Sequence, residues 1–152
     1  MNSLDAIILA RLLLRDDARQ YARARQLLAQ DCDDTATITV MQELVWVLEV
    51  NDCAREDIAH GLNLLLGLPN FKPQLPEALR QALACYGWGL DFADALHLAL
   101  SHGSEKLASV DKAFAKQSKK RRVSPLVRLA QGSVAGFRGL PPSQRRHLPG
   151  WQ

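Results

Sequence analysis

The spacing of apolar and polar residues along the chain predicts short strands separated by helices. LDAIILARLLL, near the N-terminus, is too continuously apolar to show a period, so residues 2–8 are compatible with a short buried strand that runs into a helix. ATITV alternates and is β-branched, which predicts a strand over residues 36–40. KLASV predicts a strand over residues 106–110, and FKPQ at 71–74 and RVSPLVRL at 122–129 each suit a short strand.

Apolar residues at helical spacing predict five helices and a helical turn. Asp16 or Asp17 is placed to cap the first helix, and Thr39 with Gln42 resembles a capping box that opens the second. The predicted helices cover residues 18–30, 41–50, 55–67, 76–86 and 91–102, and DKAFAK forms the turn.

This order of elements predicts the fold class. Strands that alternate with helices are typical of α/β proteins, in which helices cover both faces of a mainly parallel sheet. A chain of 152 residues, 47% of them hydrophobic, is large enough for one domain with a substantial core. From residue 130 onward Gly, Pro, Ser and Arg dominate without a period, which predicts a disordered end.

Composition narrows the class of protein further. No apolar run approaches the length of a membrane span, and the first residues lack a basic segment followed by an apolar one. We therefore expect a soluble, cytoplasmic protein. Cys32, Cys53 and Cys85 are odd in number and far apart, which fits neither a disulfide framework nor a zinc site.

The net charge of +3 hides an uneven distribution. Residues 1–111 contain 9 Lys and Arg against 16 Asp and Glu, whereas residues 112–152 contain 10 Lys and Arg and no acid. An acidic body with a basic end suggests contact with nucleic acid or with an acidic partner. A basic end that only keeps the chain soluble explains the asymmetry equally well.

GLDFADALHLAL, residues 89–100, predicts a core helix that nevertheless carries Asp91, Asp94 and His97. Asp91 suits the N-cap, where its carboxylate meets the positive end of the helix dipole. Asp94 fits capping less well, because it shares a stripe with His97 and Ser101. Taken alone, the segment favours capping over chemistry, and it favours His97 as an ordinary helix residue.

Four carboxylates occupy equivalent places in the predicted elements. Asp5 ends the first predicted strand, and Asp111 follows the strand over 106–110. Glu43 and Asp94 lie in the first turns of predicted helices. Ligands of an open parallel sheet bind beyond the carboxyl ends of its strands, so we expect these four side chains to form one acidic pocket.

Such a pocket predicts a metal ion. Clustered carboxylates raise the pKa of one another and stay ionised only around a positive charge. Hard oxygen ligands without His or Cys at ligand spacing select Mg²⁺ or Mn²⁺ over zinc. These ions bind phosphates, and a pair about 3.5–4 Å apart clamps both sides of a phosphodiester displacement. The expected chemistry is metal-assisted hydrolysis of a nucleic acid.

Four segments resemble the motifs of a known family. LDAIILARLLLRDD, ELVWVL, GLDFADALHLAL and LASVDKAF, in this order and spacing, resemble the PIN-domain ribonucleases, and within them the VapC-like toxins of bacterial toxin–antitoxin pairs. The resemblance covers roughly residues 3–125. It implies a three-layer α/β/α PIN-like fold with a central, mainly parallel sheet over residues 1–125, and it leaves 126–152 as a basic, flexible tail.

The resemblance also implies an activity. The family's acidic residues fall on Asp5, Glu43, Asp94 and Asp111, with Asp5 and Asp94 as principal ligands of Mg²⁺ or Mn²⁺. The other two would complete the cluster and help to position the attacking water. Members cleave single-stranded RNA and are held inactive by a cognate antitoxin protein. The apolar helices before residue 67 suit an ordinary core, but in VapC-like proteins that region makes homodimer and antitoxin contacts.

One departure from the family pattern concerns the residues after Asp5. The family usually places Thr or Ser and then Asn there, whereas this chain has Ala6 and Ile7. Loss of such outer hydrogen bonds commonly costs about 10–100-fold in metal affinity or activity. Ser109, two residues before Asp111, does match the hydroxyl position of the last motif. A weakened enzyme is therefore expected, with a degenerate, non-catalytic PIN domain that binds nucleic acid or protein as the alternative.

Several other residues suit both ordinary and functional roles. Arg11 and Arg15 are spaced to neutralise RNA phosphate but are better explained as a solvated helix face. Trp46 is better explained as core or partner surface than as a base-stacking platform. Residues 116–128 are predicted to lie near the mouth of the acidic pocket and to bind RNA backbone. The cations expected to matter most there are Lys119, Lys120, Arg121 and Arg122.

Overall fold

The computed structural model describes residues 1–30, 32–109 and 111–130, which contain seven helices and four short strands. The described residues divide into two compact units, the first being Met1–Glu105 and the second beginning at Lys106. In order, the elements are β1 (Asn2–Ser3), α1 (Ala6–Leu14), α2 (Ala18–Leu28), β2 (Asp34–Thr35), α3 (Ile38–Val50), α4 (Arg55–Leu66), α5 (Pro76–Gly87), α6 (Phe92–Leu100), β3 (Lys106–Ser109), α7 (Lys112–Arg121) and β4 (Leu126–Leu129).

The first unit contains a small parallel sheet. β1 pairs with β2, with Asn2 opposite Asp34 and Ser3 opposite Thr35. A third segment follows β2, because the Asp34 amide donates to the Asn70 carbonyl and the Lys72 amide donates to the Asp34 carbonyl, both at 2.7 Å. Phe71 forms a single parallel bridge there, so the predicted strand over 71–74 is reduced to one bridged residue.

The helices of the first unit pack around a core of aliphatic side chains. α3 contacts α1, α4 and α6, and α5 contacts both α4 and α6. The core includes Leu9, Leu44, Leu62, Leu79 and Leu98, all nearly or fully buried. Leu and Ala dominate this core, and the ring of Tyr86 packs edge-on against Phe92 with centroids 5.7 Å apart.

The second unit is a strand–helix–strand motif. β3 and β4 pair in parallel, with Lys106 opposite Leu126 and Ser109 opposite Leu129, and α7 connects them and contacts both. β4 begins at residue 126, where the sequence places the start of the flexible tail. The disordered end predicted from residue 130 onward falls, beyond residue 130 itself, outside the described residues.

Most predicted elements are confirmed. The helices predicted over 55–67, 76–86 and 91–102 appear as α4, α5 and α6, and the strands predicted within 106–110 and 122–129 appear as β3 and β4. The DKAFAK turn extends into the ten-residue α7. The α/β class is also confirmed, although the described residues form two separate two-stranded parallel sheets.

The predicted strand over residues 36–40 is wrong. The strand lies earlier, at Asp34–Thr35, and Ile38 already begins α3. The side chain of Thr37 accepts the Val40 amide and caps the helix, so the capping box predicted at Thr39 and Gln42 is also wrong. The first strand is likewise shorter than predicted, because Asp5 caps a helix that starts at Ala6.

No helix of the described residues combines the length and the apolar character that crossing a bilayer requires.

Candidate active site

The carboxyl ends of β1 and β2 bring two helix starts to one edge of the sheet. Two residues separate each strand from the helix that follows it, α1 after β1 and α3 after β2. Because the strands are parallel, both helices start at the same edge, and the Leu4 amide donates to the Thr35 carbonyl at 2.8 Å as the chain leaves the sheet. Clefts at such an edge are the usual place for ligands in open α/β sheets.

Asp5 lies at this edge as the N-cap of α1. Its Oδ1 accepts the Ile7 amide at 2.6 Å, and its backbone is extended. The side chain is exposed, and Oδ2 accepts no hydrogen bond from the residues that the structure describes. Capping therefore occupies one carboxylate oxygen and leaves the other available to a cation or to water.

Polar groups at the start of α3 share the edge with Asp5. Thr37 is the N-cap, and its Oγ1 lies 2.9 Å from the Thr39 Oγ1. Gln74 accepts the Ile38 amide through its side-chain Oε1 at 3.1 Å, while its backbone amide donates to the Ala36 carbonyl at 2.9 Å. The sequence pattern did not reveal this group, because residues 36–40 were predicted to form a strand. The available signal was a Thr directly before residues that are apolar at helical spacing.

Glu43 lies further along α3 than predicted. It is the sixth residue of the helix and so belongs to the second turn, where its side chain is exposed. The placement in the first turn was wrong because the helix begins three residues earlier than the sequence indicated. α3, which carries Glu43, contacts α1, which Asp5 caps, and α6, which carries Asp94.

The start of α6 carries two carboxylates, one at the N-cap and one in the first turn. Asp91 is the N-cap, as predicted, and its Oδ1 accepts the amides of Ala93 at 2.9 Å and Asp94 at 3.3 Å. Asp94 is half-buried in the first turn. A cleft of about 110 Å³ lies between this helix start and α3, and its polar lining comes from Gln42, Glu49 and Asp91.

Arg55 and Tyr86 hold the connection that leads into α6. The Arg55 Nη1 donates to the carbonyl oxygens of Tyr86 at 2.8 Å and Leu90 at 2.6 Å. The Tyr86 hydroxyl donates to the Glu49 Oε1 at 2.9 Å. Burial, with a smaller contribution from the hydrogen bond to Glu49, raises the pKa of Tyr86 to about 12. The connection contains Gly89 at φ +103, a conformation that favours glycine.

Asp111 belongs to the second unit, where it caps α7. Its Oδ1 accepts the amides of Ala113 at 2.8 Å and Phe114 at 3.0 Å. The Ser109 Oγ in turn accepts the Asp111 amide at 3.0 Å, so the hydroxyl picked out in the last motif supports the backbone of this cap. Asp111 thus follows a parallel strand and starts a helix, as Asp5 does in the first unit.

The two arginines near Asp5 have other partners. Arg11 forms an ion pair with Asp16 at 2.6 Å, and this hydrogen bond lowers the pKa of the Asp16 carboxyl. Arg15 lies over the ring of Tyr21 at 5.3 Å. Both contacts support a structural role on the helix surface. His97 is exposed in the last turn of α6.

The carboxylates are chemically suited to a metal ion, but their side chains are not grouped around one. Asp5, Glu43 and Asp94 are hard oxygen ligands of the kind that Mg²⁺ and Mn²⁺ prefer. Within residues 1–30, 32–109 and 111–130, however, no three His, Cys, Asp or Glu side chains lie together as a metal-binding group. Binding of an ion by these carboxylates would therefore require their side chains to rearrange.

Comparison with known proteins leaves the family open. None of the protein-family models matches this chain, and no curated protein has a similar sequence. The resemblance to PIN-domain ribonucleases therefore rests on the four segments themselves.

Proposed function

We propose that this protein is an endoribonuclease that depends on Mg²⁺ or Mn²⁺ and cleaves single-stranded RNA. We further propose a PIN-like three-layer α/β/α fold and the biological role of a VapC-like toxin neutralised by a cognate antitoxin. Each unit contains a parallel pair of strands together with helices, which supports the proposed PIN-like fold. The composite proposal rests on the motif resemblance together with one structural observation.

That observation is the position of Asp5. Its carboxylate lies just beyond the carboxyl end of β1, at the start of a helix, and Oδ2 has no hydrogen bond from the described residues. α3, which carries Glu43, contacts α1 and also contacts α6, which carries Asp94. Asp5 thus places an exposed carboxylate at a sheet edge, and the helices that carry the other carboxylates pack together nearby. Such an edge is suited to binding a cation and a phosphate.

We assign metal binding in the first unit to Asp5, Glu43 and Asp94. The bound ion would stabilise negative charge on the phosphate and supply a more acidic water. Asp5 would hold the ion through the oxygen that capping leaves available, and Asp91 would keep the start of α6 in place through its two amide bonds. Asp111, to which the resemblance gives the same role, is tested by its own variant.

Asparagine variants separate capping from metal binding. Asn and Asp cap helices about equally well, so Asp5→Asn should keep α1 and lose the carboxylate charge. We expect this variant to fold like the parent and to lose RNA cleavage. Asp17→Asn is the matched control, since Asp17 caps α2 in the same way through the Gln20 amide. Cleavage of a labelled single-stranded RNA with Mn²⁺ and with EDTA measures the activity.

The four predicted ligands are then compared under the same conditions. Asp94→Asn should abolish cleavage as Asp5→Asn does, whereas Glu43→Gln and Asp111→Asn should lower it. Asp17→Asn should cleave at the parent rate. If Asp5→Asn and Asp94→Asn both cleave RNA as fast as the parent, the carboxylates are not the catalytic ligands and the proposal fails.

A second candidate function is a degenerate, non-catalytic PIN domain that binds nucleic acid or protein. The observation that favours it is the surroundings of Asp5, where Ala6 is buried and Ile7 is 46% exposed, so neither adjacent side chain offers a hydroxyl or an amide. Titration calorimetry with Mn²⁺ separates the two candidates. Heat that disappears in Asp5→Asn supports the enzyme, whereas no heat from the parent together with no cleavage supports the binding module.

Apolar surface supports the proposed protein partners, a second copy of the chain and the antitoxin. Leu64 on α4 is 60% exposed, and Trp46 and Val50 on α3 are 61% and 57% exposed. Leu64 borders a groove of about 340 Å³ that is also lined by Leu12 and Leu13 of α1. Leu64→Glu should lower the dimer fraction in light scattering after size-exclusion chromatography, with Gln81→Glu on exposed α5 surface as the control.

A further inference from the structure

The second unit presents a dense positive charge. Its described residues between 106 and 130 include eight Lys and Arg, every one exposed, and Asp111 is the one acid among them. The Asp111 carboxylate is occupied by two backbone amides at the start of α7. The described residues of this unit therefore contain almost no acidic side chains to neutralise the positive charge.

Four of these cations form a stripe along α7. Successive residues of an α-helix are rotated by about 100° and rise by about 1.5 Å. The lysines at positions 112, 116, 119 and 120 therefore fall within an arc of about 100° and span about 12 Å along the helix. We name these residues, Lys112, Lys116, Lys119 and Lys120, the lysine stripe.

The opposite side of α7 faces the interior. Phe114 and Ser118 lie there and are 5% and 2% exposed. None of the stripe lysines forms an ion pair with a residue that the structure describes. The four ammonium groups are therefore held on one solvent-facing surface by a helix whose other face is anchored.

Lys119 and Lys120 lie in the last turn of α7, where the helix dipole favours a cation, but two other features of the stripe destabilise the helix. Lys112 is the first helical residue, where the dipole disfavours a cation. Lys112 with Lys116, and Lys116 with Lys120, place like charges one turn apart, which repel. A bound polyanion would relieve both effects, because its negative charges would lie between the lysines.

The polarity of α7 favours nucleic acid over a lipid surface. A helix that lies in a membrane interface needs large apolar side chains beside its basic face. The one large apolar side chain of α7 is Phe114, and it is buried. Regularly spaced cations without apolar neighbours are instead suited to the phosphates of a nucleic acid, which supply affinity and salt dependence but little sequence preference.

We propose that the lysine stripe of α7 is a binding surface for the phosphodiester backbone of nucleic acid. The stripe differs from the cluster that the sequence singled out at 119–122, because helical rotation turns Arg121 away from Lys112 and Lys116. The proposal does not depend on the nuclease activity. It concerns binding by the second unit and is tested without metal.

The test compares two triple variants of the full chain by fluorescence anisotropy with a labelled single-stranded RNA in EDTA. Lys112, Lys116 and Lys120 are changed to Gln in the first. In the control, Arg19, Arg23 and Arg25 of α2, which are also exposed, are changed to Gln. Both variants lose three positive charges, and Gln is a good helix former, so circular dichroism should show parent-like helix content for both.

We expect the stripe variant to bind RNA more weakly, with the slope of log K against log salt reduced by about 2, as the loss of three single-strand phosphate contacts implies. The control should keep most of the affinity and slope. Single-stranded DNA of the same sequence should behave like the RNA, because the backbone charge is shared. The measurement is made in EDTA and follows binding alone, so failure of the nuclease proposal would leave this result unchanged.

Three results would overturn the proposal. The first is an equal loss in both triple variants, which would mean that net charge alone drives binding. The second is a parent protein that binds no RNA at low salt. The third is stripe-dependent binding to vesicles containing anionic lipid, with no binding to nucleic acid, which would identify a membrane surface.

Discussion

The guanidinium of Arg55 lies over the ring of Tyr86, with its central carbon 4.1 Å from the ring centroid. The same side chain donates to the carbonyls of Tyr86 and Leu90, at the end of α5 and just before α6. Arg55 comes from the first turn of α4, so one residue joins three helices. The start of α6, with Asp91 and Asp94, depends on this connection.

Arg55→Lys should lower the free energy of unfolding by about 1–3 kcal/mol. The nitrogen that donates to both carbonyls is Nη1, and the lysine side chain ends one atom short of it. An ammonium also does not stack on the ring as the planar guanidinium does, and hydrogen bonds to charged groups contribute in this range. Urea denaturation measures the change. Arg19→Lys on exposed α2 is the control and should shift the stability by less than about 0.5 kcal/mol. Equal effects in the two variants would show that the contacts of Arg55 contribute nothing.

Tyr86 should make the protein lose stability at alkaline pH. Its pKa is raised to about 12 in the folded chain, above the ordinary value of 10.0. Between these values the unfolded chain releases the phenol proton while the folded chain retains it, so the free energy of unfolding falls as pH rises. The contribution is present below about pH 10 and is lost through about pH 12, by at most about 2–3 kcal/mol.

Tyr86→Phe should flatten this alkaline decline, since Phe has no proton to release. Denaturant unfolding at a series of alkaline pH values provides the comparison. Tyr21→Phe, at the ring beneath Arg15, is the control and should retain the decline. A parent-like decline in Tyr86→Phe would assign the effect to other groups.

Asp34 is fully buried in β2, and replacing its charge should stabilise the protein. Its Oδ1 accepts the Asn2 Nδ2 at 3.1 Å, but Oδ2 has no partner among the described residues. An incompletely paired buried carboxylate is costly, whereas an amide of the same shape carries no charge. We expect Asp34→Asn to raise the free energy of unfolding at neutral pH by about 1 kcal/mol or more.

The neighbouring Asp33 is the matched control for Asp34. Its carboxylate forms an ion pair with Lys72 at 2.6 Å, and both side chains are substantially exposed. Asp33→Asn should therefore lose at most about 1 kcal/mol, as surface pairs usually do. Thermal unfolding of both variants at neutral pH makes the comparison. Destabilisation by Asp34→Asn would show that its carboxylate has a partner that the amide cannot replace.

The cap of α7 should tolerate Asn but not Ala. Asp111 accepts two amides, so Asp111→Ala should remove about 1 kcal/mol of stability from its unit, while Asp111→Asn should remove a few tenths at most. Hydrogen exchange of the Ala113 and Phe114 amides reports the change locally. Exchange that is equally slow in the Ala variant would mean that these amides do not depend on the cap.

The sequence by itself determined the elements that depend on local chemistry. Asp17 and Asp91 cap their helices as predicted, because a cap needs only a side-chain oxygen and the amides two or three residues later. α4, α5 and α6 follow from apolar spacing over two or more turns. Asp5 and Asp111 were also correctly expected at helix starts or strand ends, although metal binding by them stays a prediction.

Tertiary structure decided what short segments leave ambiguous. Residues 36–40 satisfy both an alternating pattern and a helical one. The hydrogen bonds that hold the backbone around Ile38 come from Gln74, which is far away in sequence. The hydrogen bond between Asn2 and the buried Asp34, and that between Arg55 and Tyr86, likewise join residues that are more than thirty positions apart. Such contacts depend on which elements pack together, and no local pattern of apolar and polar residues specifies that.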